Sequence, residues 1–292
     1  MHLDAATILL QWAAGGLVFL WVTTRGRMVS IGYGWLLRGV FGAMAIGAIA
    51  AELRTDHQGW GHGVFLAASA MVVVSATVAL IVSVVRRAAG VSAADELATS
   101  RAERVAAMAG RTDAGGDARD PAGPIDRREF PPALDLAAPI FGVVALVGAA
   151  EFSGGALWLA AARLVVGAAF LGVVSDAMLL GHWYLTQPGL PRAPLQELVR
   201  WAAAVWPVEV LVLLLPPGMI GVLSGGRSDG YGGLIGWMWV VCALTTAILL
   251  WVTWLALRER FYSAVMAATG LLYLAILTAF GTDLVARALL AP

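Results

Sequence analysis

Long apolar stretches broken by short polar connections dominate this chain, and eight can be read along it: residues 5–22, 31–51, 63–85, 133–150, 156–182, 198–222, 233–256 and 262–281. A helix needs roughly 20 apolar residues to cross a hydrocarbon core of about 30 Å, and each stretch approaches or exceeds that length. The pattern predicts an all-α polytopic membrane helix bundle of about eight transmembrane helices. Residues 1–86 hold helices 1–3, residues 87–132 form a cytoplasmic flexible linker, and residues 133–292 hold helices 4–8, all within one membrane domain. Eight crossings place both termini on one side.

Composition agrees, since 60% of the 292 residues are hydrophobic and only 13% are charged, a balance foreign to water-soluble domains. All 19 basic residues are arginine, and they match 19 acids, so no net field recruits nucleic acid. Charge reports topology instead. Arg25 and Arg27, Arg86 and Arg87 with the six arginines between 101 and 128, Arg192 and Arg200, and Arg258 and Arg260 fall on alternate connections. The other connections and the tail carry only Arg54, Arg227 and Arg287. The positive-inside rule makes the arginine-rich connections cytoplasmic and both termini external. The opening Met-His-Leu-Asp has no basic n-region, so segment 1 is expected to be retained as a span. Arginine without lysine and abundant alanine suggest a high-GC coding bias, and on that ground a multi-pass protein of a bacterial cytoplasmic membrane is expected.

Within the linker, residues 94–108 could prolong segment 3 as a helix, while Asp113 to Pro124 is rich in Gly, Asp and Pro. Segment 2 contains Arg38, Gly42, Ala43 and Gly47, and segment 5 contains Arg163, Gly167, Ala168 and Gly172 at the same spacing. Because the two segments run in opposite directions, this match fits an inverted repeat of helices 1–3 and 4–6; it equally fits small residues recurring for close helix packing. The glycine-rich stretch 224–233 lacks a phosphate-loop lysine and reads as a flexible external turn.

Ionisable residues inside spans cost about 2.5–3.5 kcal/mol on insertion scales, so they face the bundle interior and seek partners. Arg38, Arg163, Asp176 and Glu209 qualify. Helical rise puts Arg38 and Asp176 toward the cytoplasmic side, where they are expected to pair. Arg163 lies toward the external side, within reach of Glu52, Glu151 or Glu209. Glu209 falls about midway along segment 6, where Pro207, Pro216 and Pro217 make this the expected broken helix. These five residues (Arg38, Glu52, Arg163, Asp176 and Glu209) are the candidate polar network for moving a small solute, ion or proton.

Ser175 to Pro188 concentrates Asp176, His182, Trp183, Tyr184 and Gln187. Helical spacing separates Asp176 from His182, so an acid–histidine dyad is not expected there. His182, Trp183 and Tyr184 are candidate contacts for a quinone, a haem or a partner helix, which defines the alternative of a non-transporting membrane subunit of a redox or assembly complex. Asp56, His57 and His62, with Glu52, supply metal-ligand residue types without a regular spacing, and no metal site is assigned. An intramembrane lipid-modifying enzyme using Asp176, Glu209 or His182 is a third class, although no zinc-protease, GxSxG or paired-aspartate motif is present.

Overall fold

The computed structural model describes residues 4–86, 130–187, 190–216, 218–259 and 261–291, and every regular element among them is helical. The order is α1 (Ala5–Thr24), α2 (Ile31–Glu52), α3 (Trp60–Val85), a 3-10 turn (Pro132–Leu136), α4 (Ala137–Phe152), α5 (Leu157–Thr186), α6 (Ala193–Leu214), the short α7 (Met219–Leu223), α8 (Leu234–Ala256) and α9 (Tyr262–Leu290). Among the described residues, seven helices are long and apolar enough to cross a membrane: α1, α2, α3, α4 with its preceding turn, α5, α8 and α9. The eighth long helix, α6, has 22 residues but carries Glu197, Arg200 and Glu209. The expectations for His2, for the linker over 87–129 with its helical extension at 94–108, and for Pro217 and Arg260 fall outside the described residues.

Contacts at the helix ends fix the up-and-down order. At one end, Trp183 donates to Ser30 (3.2 Å), the Tyr184 hydroxyl donates to the Pro191 carbonyl (2.7 Å), and Gln196 donates to the Leu257 carbonyl (3.0 Å). At the other, His62 meets Glu52, Gly61 donates to Glu151, and Trp239 donates to the Thr282 carbonyl. Helix α6 therefore begins where α8 ends and finishes beside the start of α5. Its 22 residues rise about 33 Å between those two sets of contacts.

Helix α1 occupies the centre, packed against α2, α4 and α5. Leu10, Ala13, Leu17 and Leu20 are buried along it. Lipid offers no hydrophobic drive between helices, so close packing of small residues must supply the attraction. A Cβ placed on Gly15 would lie 1.7 Å from the Ala168 carbonyl oxygen, and one on Gly172 would lie 2.1 Å from the Gly15 carbonyl carbon. The backbones of α1 and α5 thus touch directly. Outward, Ile46, Val78, Ile140, Leu211, Val241 and Leu277 are exposed. Such a continuous apolar exterior is what a bilayer covers.

Three local features depart from the sequence expectations. Segment 6 ends at Leu214 rather than 222, because Pro216 has no N–H to donate to the carbonyls of the preceding turn. Segment 8 continues nine residues past 281, to Leu290, carrying Asp283 and Arg287 into the bundle. The glycine-rich turn is organised around Asp229, whose carboxylate accepts N–H bonds from Tyr231, Gly233, Ile235 and Gly236. Those bonds hold the Asp229 carboxyl below its ordinary range and place negative charge at the positive end of α8. The two Arg-Gly-Ala-Gly runs are also packed differently. Gly42 meets open space, whereas Gly167 abuts Gln11 and Asp283.

The α1–α5 contact makes a direct prediction. Gly15→Ala drives its methyl group into backbone that no rotamer change can relieve, and is expected to lower the thermal unfolding midpoint of the purified protein clearly. Gly39→Ala, where nothing lies within 4 Å, is expected to leave it unchanged or slightly raised.

Candidate functional site

Buried ionisable groups occupy three levels of the bundle. Toward the arginine-rich end, Arg38 lies seven residues into α2, about 10 Å deep, and is buried. Its guanidinium forms a two-pronged pair with Asp135, Nε to Oδ1 and Nη2 to Oδ2 at 2.7 Å each. Nη1 donates to Ser83 at 3.3 Å, and the Phe130 ring packs 4.5 Å from the guanidinium carbon. A side chain at Gly34 would collide with this group, with a Cβ 2.7 Å from Nη1. Thr24 adds a bond to Asp135 at 3.1 Å. The expected Arg38–Asp176 pair does not form, because Asp135 on the 3-10 turn is the acid that reaches Arg38. This arrangement clamps the entry of α4 to α1, α2 and α3.

Asp176 sits ten residues before the end of α5, about 15 Å inside, and is completely buried. Neither carboxyl oxygen has a hydrogen-bond partner. Beside it, the Tyr33 hydroxyl donates to the backbone carbonyl of Asp176 at 3.3 Å, and the Ser175 hydroxyl accepts from Trp12 at 2.8 Å. An ionised carboxylate in hydrocarbon without a partner costs several kcal/mol.

The outer level joins four helices. On α9, Arg287 donates through Nε to Asp283 at 2.8 Å, both side chains being fully enclosed. Gln11 of α1 approaches the other Asp283 oxygen at 3.4 Å. Glu209 of α6 faces Asp283, Arg287 and Arg163. Its carboxyl meets that of Asp283 as acceptor against acceptor, a contact that becomes a hydrogen bond only when one of the two holds a proton. Both Glu209 oxygens, Gln11 Oε1 and the two terminal nitrogens of Arg287 are buried without partners. Glu209 lies five residues from the end of α6, about 8 Å, so it belongs to the last third of that helix and not midway as the longer segment implied.

Arg163 has a second duty that the proline positions explain. Val212 would normally accept from the N–H of residue 216, but Pro216 has none. Arg163 supplies the missing donor, with Nε to the Val212 carbonyl at 3.0 Å and Nη2 to the Leu215 carbonyl at 2.7 Å. A cation at a helix C-terminus is also favoured by the helix dipole. The helix runs unbroken through Pro207 and past Glu209 to Leu214, and an arginine side chain takes the carbonyls left free at its end.

Glu52 does not join Arg163. It is buried at the outer end of α2, where His57 and His62 approach its carboxylate through Nδ1, at 3.2 and 2.7 Å to the same oxygen. His57 also stacks on Phe152 with ring centres 4.1 Å apart. Asp56 is exposed, and Glu151 accepts from the Gly61 N–H at 3.1 Å. No group of three or more His, Cys, Asp or Glu among the described residues could hold a metal ion.

His182, Trp183 and Tyr184 point three different ways, as consecutive helical residues must. The exposed His182 meets the Tyr273 hydroxyl through Nδ1 at 3.0 Å on the outer wall of α5 and α9. Trp183 bonds Ser30 and packs edge-on against Tyr33, while Tyr184 closes the turn to Pro191. They do not share one ligand surface. Asp135, Asp283, Arg287 and Gln11 are the polar residues that sequence reading missed. The readable signal was Asp283 and Arg287 four apart, followed by a further apolar turn.

Breaking a buried ion pair by removing one partner costs about 3–5 kcal/mol, and an apolar replacement of both partners recovers most of it. Asp135→Ala is accordingly expected to destabilise the protein by about that amount in a reversible unfolding assay, and Arg38→Met with Asp135→Leu to restore it. No family model, no curated protein and no solved structure matches this chain, so a functional reading rests on the geometry alone.

Proposed function

We propose that this integral membrane protein is a proton-linked transporter, carrying protons alone or with a small solute or ion between the outer and inner faces of the bundle. The observation that carries this reading is a pair of wholly buried carboxyl groups, Asp176 and Glu209, that have no hydrogen-bond donor at two different depths. Ionisable groups inside a membrane are functional sites by default, because their insertion cost must be offset by something they do. Other buried charges here have evident structural work. Arg38 and Asp135 clamp α4, and Arg163 completes the end of α6. Asp176 and Glu209 have none.

Consecutive residues of α1 link the two acids. Gln11 reaches Asp283 beside Glu209, and Trp12 reaches Ser175 beside Asp176. In the proposed cycle a proton enters from the external side onto the Glu209–Asp283 pair. Arg287 stays on whichever carboxylate is ionised. The proton then passes along the α1 side of the bundle toward Asp176, near the inner side. Positive-inside charge sets that direction, with Arg25, Arg192 and Arg258 at the Asp176 end.

A second reading, a redox-complex subunit contacting quinone or haem, draws support from the exposed His182–Tyr273 pair on the outer wall. One experiment separates the two. In proteoliposomes with an imposed pH gradient, the wild-type protein is expected to dissipate the gradient. Asp176→Asn is expected to abolish that flux, and Glu209→Gln to reduce it at least tenfold. Arg54→Gln, on the exposed external loop, is expected to leave it unchanged. Flux that is absent in the wild type, together with a haem absorption band or stoichiometric quinone lost in His182→Ala, would replace transport with the redox reading.

A further inference from the structure

Helices α6 and α8 diverge on the membrane-facing side and leave a groove of about 290 Å³. Its walls include Ala203 and Trp206 from α6 and Ala247, Trp251 and Trp254 from α8, with Arg200 at one end. The two alanines open the space between the helices, and the tryptophans make its sides. Trp206 is fixed in place because its indole N–H donates to the Ala243 carbonyl at 3.0 Å. From Arg200 to Trp206 the groove runs six residues along α6, about 9 Å.

The mouth is cationic. Arg258 lies 4.6 Å from the centre of the Trp254 ring, and Trp254 is part of the groove wall shared with Arg200. Both arginines are exposed, and neither forms an ion pair among the described residues. Of the neighbouring acids, Glu197 is engaged by Arg25, and Glu259 follows Arg258 with its backbone carbonyl taken by Arg192. Two unpaired guanidinium groups at an aromatic-lined apolar slot leave a negative charge attached to a hydrocarbon chain as the complementary ligand.

We propose that this groove binds an anionic phospholipid, with its phosphodiester held by Arg200 and Arg258 and the upper part of one acyl chain lying between Trp206 and Trp251. Charge complementarity selects the occupant. The groove opens at the arginine-rich end, which the positive-inside rule places in the cytoplasmic leaflet, where anionic headgroups are available. Each arginine near a membrane surface contributes about 1 kcal/mol, a factor of about five, so two predict a preference of about 25-fold for an anionic over a zwitterionic headgroup. The site is independent of the transport reading, because it uses none of Asp176, Glu209, Asp283 or Arg287.

The test uses nanodiscs of phosphatidylcholine doped with brominated-chain phosphatidylglycerol, and reads quenching of tryptophan fluorescence. The same titration is run with brominated phosphatidylcholine. Wild-type protein is expected to be quenched at far lower mole fractions of the anionic lipid, by about 25-fold. Arg200→Gln with Arg258→Gln is expected to make the two titrations coincide. Trp251→Phe with Trp254→Phe, which keeps the groove filled, is expected to remove most of the selective quenching. Arg227→Gln, at the opposite end, serves as the folded charge-loss control and is expected to behave as wild type. Equal quenching by both lipids in the wild type, or selectivity that survives loss of both arginines, overturns the proposal. So does displacement of the brominated lipid by a quinone at equal mole fraction.

Discussion

The direct contact of two backbones, α1 against α5 at Gly15, Ala168 and Gly172, is the constraint on which the rest of the molecule depends. No side chain separates the helices there, so backbone packing sets their relative height and rotation. That register puts Gln11 beside Asp283 on one side of the crossing and Trp12 beside Ser175 on the other. The same close approach recurs where Gly16 lies against Phe41 and where Gly61 and Gly148 bring α3 against α4. In hydrocarbon such contacts must do what burial from water does elsewhere, since lipid chains and leucine side chains are equally apolar.

Around this frame the buried charges divide into two kinds. Arg38 and Arg163 are saturated. One forms a two-pronged pair that anchors the start of α4, and the other stands in for the N–H that Pro216 lacks. Asp176 and Glu209 are the opposite, carboxyl groups enclosed by the bundle and left without donors. A structure built only to be stable would replace such residues with apolar ones of similar volume, because an unpaired buried charge is a net cost. Their enclosure without donors is the observation on which the proposed role in moving charge rests.

Much of the fold was legible in the sequence because lipid imposes a simple rule: a span must be helical, about 20 residues long and almost uncharged. The helical class and the approximate positions of the long segments follow from that rule, although segment 6 ended earlier and segment 8 later than the apolar pattern indicated. The site was less legible. Arg38 and Arg163 were recognised as buried charges, but partner identity depends on which helices become neighbours, and sequence spacing does not encode that. Asp135 fell at the start of segment 4 and was not singled out as a buried charge, and Asp283 and Arg287 lay beyond the apparent end of the last segment. Glu52, at the end of α2, was counted among the acids within reach of Arg163, whereas two histidines only five and ten residues away are its partners. Local contacts of that kind arise from the turn at Gly59, whose φ of 104° no spacing rule anticipates.

The central claim is that Asp176 takes up and releases a proton inside the membrane. Infrared difference spectroscopy of the reconstituted protein across a pH step tests it most directly, because a protonated carboxyl has a carbonyl stretch that its ionised form lacks. The account predicts a carboxyl band that appears and disappears with the step and is missing in Asp176→Asn. A difference spectrum that shows no carboxyl band dependent on Asp176, from protein that is folded and inserted, would contradict it.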